Sequence, residues 1–207
     1  MQKDLASLME ALGYTFQDMS LLENALTHSS YANESDRHLA SNERLEFLGD
    51  SVLGFITANE LFQKETGPEG ELTKLRAAVV CEGSLAELSR KLGVGRCLLL
   101  GKGEESTGGR SRDSILADAF EAIIGAICMD GGMEAVTKYI MGFMEERIES
   151  TKSNFRNLDC KTHLQEVIQK TSKVPLKYAI VDEHGPDHNK VFVAEVTHDG
   201  AVLGKGS

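Results

Sequence analysis

Through the first 150 residues the apolar positions recur at helical spacing, and no segment alternates as a strand would. Leu5, Leu8, Met9 and Leu12 fall at i, i+3, i+4 and i+7, and Gly13 supplies a stop. Leu21, Leu22, Ala25 and Leu26 mark a second helix. Asn42 is placed to cap a third that runs to about Lys64, where Gly67-Pro68-Glu69-Gly70 breaks the pattern. Leu72–Val80 and Gly83–Leu92 read as two more helices. A glycine-rich loop from Gly101 to Gly109 precedes a helix from about Asp113 to Asp130, and a last helix covers Met133–Ser150. Beyond a polar linker that begins Thr151-Lys152-Ser153-Asn154, the grammar changes. One helix from about Cys160 to Thr171 leads into alternating runs around Leu176–Asp182, Val191–Thr197 and Ala201–Leu203, separated by Gly185-Pro186-Asp187 and Asp199-Gly200, as in antiparallel hairpins. The pattern therefore predicts an all-helical domain over 1–150, a linker over 151–157 and a small helix-strand-strand-strand domain over 158–207.

Composition and charge narrow the function. The chain has 207 residues and a formal net charge of −10. Residues 153–207 hold as many basic as acidic residues, so the whole excess lies in the helical part. An acidic domain that collects divalent cations gives that asymmetry, and so does a solvated acidic surface. No stretch approaches the roughly 18 apolar residues of a membrane span, and no export signal is visible. Cys81, Cys97, Cys128 and Cys160 are far apart without a CxxC pair, which argues against zinc and for reduced, buried thiols in a cytoplasmic protein.

The candidate chemistry lies in acids at helical spacing. At about 100° per residue, Glu43, Glu46 and Asp50 share one stripe of the third helix, with Leu45, Leu48, Val52 and Ile56 opposite. Clustered acids repel, and a purely solvated face more often interleaves lysines. In Ile115-Leu116-Ala117-Asp118-Ala119-Phe120-Glu121-Ala122, Asp118 and Glu121 are i, i+3 neighbours opposite Phe120, Ile123 and Ile127. Small residues (Ala117, Ala119, Ala122 and Gly125) flank them and allow a close approach. Oxygen ligands without His or Cys select hard cations, magnesium or manganese. If the two helices cross, four carboxylates converge where metal can meet a phosphate.

The segment Asn42-Glu43-Arg44-Leu45-Glu46-Phe47-Leu48-Gly49-Asp50-Ser51 closely resembles the signature of the ribonuclease III family. The likeness extends to Leu26-Thr27-His28-Ser29-Ser30, to Gly101-Lys102-Gly103-Glu104-Glu105 with Gly108-Gly109-Arg110, and to Ser114-Ile115-Leu116-Ala117-Asp118 with Glu121-Ala122. It implies a mainly α protein: an all-helical ribonuclease III endonuclease domain followed by a small α+β double-stranded-RNA-binding domain, without that domain's final helix. It implies magnesium, with manganese able to substitute, on Glu46, Asp50, Asp118 and Glu121, with Asp50 and Glu121 catalytic and Glu43 and Glu69 accessory. It implies a homodimer into whose partner Phe47 inserts, and cleavage of RNA duplexes to 5′-phosphate and 3′-hydroxyl ends, as in rRNA and mRNA precursor processing. His28 is either a satisfied polar residue or a substrate contact. The 101–109 loop lacks a preceding strand and so is not a nucleotide-binding GxGxxG. The resemblance makes it a flexible loop that touches RNA through Lys102, Arg110 and Arg112. In the second domain, Thr162, Gln165, Glu166 and Gln169 form a polar helix stripe suited to a minor groove with its 2′-hydroxyls, and His188 and Lys190 lie in the loop placed to reach a second groove. Asp187 in that loop departs from the pattern, since an acid there repels phosphate.

Overall fold

Gly13 adopts a φ of 63°, the left-handed turn that favours glycine, and ends helix α1 (Gln2–Leu12) where the apolar spacing predicts. The computed structural model describes residues 2–35, 39–158, 160–185 and 190–206, and the side chains among these except those of 2, 3, 154–158, 160–163, 166 and 170. Two compact units divide the chain, Met1–Lys152 and Ser153–Ser207.

In the first unit, α2 (Met19–Ala25) is capped by Asp18, whose carboxylate accepts from the Ser20 N–H at 2.9 Å. Helix α3 (Ser29–Glu34), which the apolar pattern does not signal, is a short helix capped by the His28 ring. It has no buried residue, so it carries no apolar period to detect. Helix α4 (Glu43–Lys64) spans the predicted length. Asn42 precedes it but does not cap it. Its backbone is already helical, and the buried side chain instead donates to the Ala25 carbonyl at 3.3 Å. Helices α5 (Glu69–Val79) and α6 (Glu82–Leu92) follow, the latter closed by left-handed Gly93.

The region expected as a glycine-rich loop is ordered instead. It forms α7 (Lys102–Ser106) and a 3-10 turn at Gly109–Ser111. The arginines are the reason. The Arg110 guanidinium donates to the carbonyls of Gly95 at 3.0 Å and Leu98 at 2.7 Å while pairing with Glu105, and Arg112 pairs with Glu104. Both are spent on holding the segment together, so of the three basic groups proposed to touch RNA only exposed Lys102 has a side chain without a partner among the described residues.

Helix α8 (Asp113–Leu158) contains the two helices predicted for this region, joined at Gly132, where φ 74° and ψ −176° break the helical backbone. Just before the break, the Asp130 carboxylate accepts from the Tyr14 hydroxyl and from the N–H groups of Gln17 and Asp18, at 2.8, 3.0 and 2.8 Å. The expected polar linker from Thr151 is helical and continues α8. Between Ile115 and Ile127 every residue of α8 is buried except Asp118 and Glu121. A helix apolar all round is a central helix, so the amphipathic reading of this segment understates its burial. Ser89 of α6 ties in from the side, its buried hydroxyl donating to the Leu116 carbonyl at 2.6 Å.

The second unit carries α9 (Cys160–Thr171) and strands β1 (Lys177–His184), β2 (Val191–His198) and β3 (Ala201–Gly206), paired antiparallel in the order β1-β2-β3. Asp199 and Gly200, with φ of 48° and 82°, make the two-residue hairpin turn that their sequence predicts. The face carrying Phe192 and Ala194 is open, with Ile180 65% and Phe192 46% exposed. The thiols depart from expectation: Cys81 is exposed and Cys97 and Cys128 are half-buried, all three free, while the Cys160 side chain lies outside the described residues.

Candidate active site

Two glycines decide how α4 meets α8. A Cβ built on Gly49 would lie 1.8 Å from the Glu121 carbonyl oxygen, and one on Gly125 would lie 2.2 Å from that of Leu45. The helices therefore touch backbone to backbone, closer than any side chain permits. Glu46 and Asp50 flank Gly49, while Glu121 precedes Gly125 by one turn. The contact that excludes a side chain brings the acids of the two helices together. Leu45, Val52 and Ile56 are buried on the opposite side of α4, as the 100° spacing requires, and Leu48 is half-buried.

Carboxylate oxygens of Glu46, Asp118 and Glu121 lie within 4.8 Å of one another. Asp50 is exposed and stands outside that close group, yet its charge is the largest electrostatic influence on Glu121. Burial pushes the Glu121 carboxyl up to about 7, helped by the charges of Asp50, Asp118 and Glu46. Burial likewise raises Glu46, with Asp118, Glu43 and Asp50 adding to it. It raises Asp118 too, followed by the charge of Glu82 and opposed by His28. Position in the first turn of α4 offsets part of the cost for Glu43 and Glu46, because the helix N-terminus favours negative charge. What remains is an acidic pocket that a hard cation would relieve. Among the described residues it is the one group of three or more acids, histidines and cysteines close enough to hold a metal.

The remaining predicted residues fall differently. Glu43 is exposed at the edge of the cluster, its carboxylate accepting from the Ser41 hydroxyl at 2.9 Å. Glu69 lies on α5 and accepts from Thr73 at 2.8 Å, and the chain does not bring it into the close group. Phe47 is 76% exposed, which excludes a core role within the chain. Phe55 and Phe62 project from the same stripe of α4 at 63% and 77% exposure, which the sequence reading did not single out. Their spacing of eight and seven residues was the available signal. Glu82, at the start of α6, is a further missed neighbour of Asp118, and nothing in the local pattern marks it. In the second unit, Gln165 is half-buried and Gln169 exposed on α9. The Lys190 ammonium pairs with Glu183 at 3.2 Å and sits 6.0 Å over the Phe192 ring. The side chains of Thr162, Glu166 and His188, and Asp187, lie outside the described residues.

An acid-lined nuclease-like helical site followed by a helix and a three-stranded sheet defines the class, and the comparisons agree. A family model described as ribonuclease-III-like matches residues 18–148, and one for the double-stranded RNA binding motif matches residues 160–207. Ribonuclease 3 of Desulforamulus reducens is 48% identical over 202 residues, 97% of this chain and 82% of the relative. Ribonuclease 3 of Symbiobacterium thermophilum is 50% identical over 198 residues, 95% and 83% of the two chains. A solved nuclease domain of ribonuclease III from Campylobacter jejuni, described as flexible in a region involved in dimer formation, superposes with a TM-score of 0.63 at 42% identity. It covers 68% of this chain and 96% of its own. The chain belongs to the ribonuclease III family.

The Glu121 shift predicts a pH dependence with a definite sign. Between about 4.5 and about 7 the folded protein keeps a proton that the unfolded chain has released, so stability falls as pH rises through that window. Denaturant melts with chelator should find wild type less stable at pH 8 than at pH 5, and Glu121→Gln should flatten that slope. Parallel slopes for the two proteins would remove Glu121 as its source.

Proposed function

We propose that this family member hydrolyses phosphodiester bonds in double-stranded RNA with magnesium held by Glu46, Asp50, Asp118 and Glu121. The observation that carries the reading is the convergence of Glu46, Asp118 and Glu121 within 4.8 Å at a buried helix crossing, with Asp50 beside them. The donor set fits the ion: all ligands are carboxylate oxygens, as hard cations require, and manganese can substitute. When bound, the cation supplies a Lewis acid for the phosphoryl oxygens and a water of lowered pKa.

The chain's own residues contribute position and proton handling. Hydrolysis adds water across the P–O3′ bond. The water oxygen joins phosphorus, O3′ departs and takes a proton, and 5′-phosphate and 3′-hydroxyl ends remain. Glu121, whose carboxyl burial pushes up to about 7 in the metal-free chain, would give up that proton on binding the cation. Burial first, and then the charges of Asp50, Asp118 and Glu46, hold the metal-free value up. Glu43 adds negative charge at the edge of the cluster, which pushes the Glu46 carboxyl further up. Residues 1–150 serve as the catalytic domain and 158–207 as the RNA-binding domain, where Thr162, Gln165, Glu166, Gln169, His188 and Lys190 take the duplex by its shape and 2′-hydroxyls. No described helix is long and apolar enough to cross a membrane. Free thiols at Cys81, Cys97 and Cys128 support action in the cytoplasm, on rRNA and mRNA precursors. The test is cleavage of long duplex RNA with and without magnesium, with single-stranded RNA as control. Absence of magnesium-dependent cutting would defeat the reading.

A homodimer is the second part of the proposal. Three exposed phenylalanines along one stripe of α4 form an apolar strip that a solvated helix does not keep. A buried interface aromatic contributes about 2 kcal/mol or more, so Phe47→Ala should weaken the dimer about 30-fold and lower activity with it. Sedimentation equilibrium at micromolar concentration checks this, and a monomeric wild type would refute it.

A further inference from the structure

His28 is not explained by the catalytic cluster or by the core. The segment before it is held on two sides. Leu99 donates to the Leu26 carbonyl at 2.8 Å, His28 N–H donates to Leu99 at 3.1 Å, and Thr27 forms a parallel bridge with Leu99. On the other side Asn42, the residue that leads into α4, donates its N–H to the Thr27 carbonyl at 2.9 Å. His28 thus stands one residue from a backbone bond to the start of the acidic helix.

The ring itself is fixed. Nδ1 accepts from the Ser30 N–H at 3.2 Å, capping α3, and lies 2.8 Å from the Ser30 hydroxyl, which in turn accepts from the Gly101 N–H at 2.9 Å. A nitrogen that accepts from a backbone N–H has its lone pair engaged, so the neutral ring carries its proton on Nε2. Among the described residues Nε2 has no hydrogen-bond partner. Capping alone does not account for a histidine, because serine, threonine, asparagine and aspartate serve that position better and are smaller. The charge His28 can carry opposes the upward push on Asp118, which puts the ring within electrostatic reach of the cluster.

We infer that His28 is a substrate-contacting residue: its Nε2–H donates a hydrogen bond to a phosphate oxygen of the RNA strand lying over Glu46, Asp118 and Glu121, while Nδ1 holds the ring in place. The cluster is acidic and repels a phosphodiester, so donors at its rim are needed to seat the strand. The His28 ring supplies one at Nε2. The inference rests on the nuclease reading above.

The two roles of the ring separate by substitution in the full chain. His28→Asn keeps a cap acceptor and removes the distal donor. His28→Gln places an amide donor at similar reach and loses the cap, and His28→Ala loses both. With magnesium and duplex RNA, His28→Asn should melt within about 2 °C of wild type and lose about 10- to 100-fold in kcat/KM, the worth of one hydrogen bond to a charged group. His28→Gln should melt lower and yet cleave better than His28→Ala. If His28→Asn cleaves as wild type does, the ring is only a cap and the inference fails. If the Asn variant is itself unstable, the Gln and Ala variants decide at a temperature where both are folded, and equal cleavage overturns the proposal. Failure of wild type to cut duplex RNA would instead strike at the nuclease reading, leaving these outcomes distinguishable.

Discussion

Asp50→Asn and Glu121→Gln are each expected to lower cleavage of duplex RNA by about three orders of magnitude or more, roughly 4 kcal/mol of transition-state stabilisation. Each exchange keeps shape and removes the negative charge a hard cation requires. The two test different parts of the site. Glu121 belongs to the close group of carboxylates and burial pushes it up to about 7 without metal, so its amide removes a ligand from the buried part of the site. Asp50 stands outside that group and acts on Glu121 through charge, so its amide tests whether the exposed rim of the cluster is part of the site. Fold and duplex binding should survive both changes, because the RNA-binding motif matched at residues 160–207 is untouched. Calcium should support binding with little cutting, since it accepts loose geometry that the reaction does not. Substantial cleavage by the Asp50→Asn, Glu121→Gln double variant would rule out the assigned site. Gel-resolved cleavage beside a binding titration in calcium separates the two effects.

The second large effect comes from one methyl group. Gly49→Ala would set a Cβ at 1.8 Å from the Glu121 carbonyl oxygen, and Gly125→Ala at 2.2 Å from that of Leu45. Neither obstacle is a flexible side chain, so α4 and α8 must move apart. Overpacking of this kind costs about 1–3 kcal/mol and more where backbone is the obstacle, and for a chain of this size about 3 kcal/mol lowers Tm by roughly 6–12 °C. Cleavage should fall further than stability, because the helices that separate are the ones that carry the carboxylates. Gly142→Ala is the control. It lies inside α8 with nothing within 4 Å of the added carbon, and it should stabilise by about 0.5–1 kcal/mol, the ordinary gain over glycine in a helix. A Gly49→Ala protein that melts and cuts like wild type would show that the helices tolerate separation and that the crossing does not set the site.

These two predictions draw on different parts of the chain's information. Helical period made it legible that Glu43, Glu46 and Asp50 share one stripe and that Asp118 lies beside Glu121 on another, while their selection as metal ligands came from the resemblance to ribonuclease III. Helix extents were legible for the same reason, as α1 and α4 attest, since apolar residues at 3.6-residue spacing need a core on one side. Where no such period exists, reading failed. Helix α3 is held by a cap and not by burial, and the 101–112 segment is ordered by Arg110 and Arg112 pairing with acids and carbonyls, which no apolar pattern reports. Asn42 looked like a cap because its residue type favours one, but a buried amide goes to whichever carbonyl lies within reach.

Sequence alone determined which residues could do chemistry, the two-part organisation and the type of nearly every element. These follow from local periodicity and turn chemistry, which act over a few residues. Only the tertiary structure decided which acids meet, because that depends on α4 and α8 crossing at Gly49 and Gly125, residues 76 positions apart in the chain. It also decided that Glu69 stays away from the close group, that Phe47 has Phe55 and Phe62 beside it on an open face, and that the Glu121 carboxyl is pushed up to about 7. Burial and the summed field of neighbouring charges set that last value, and both are properties of the assembled fold that no stretch of sequence contains.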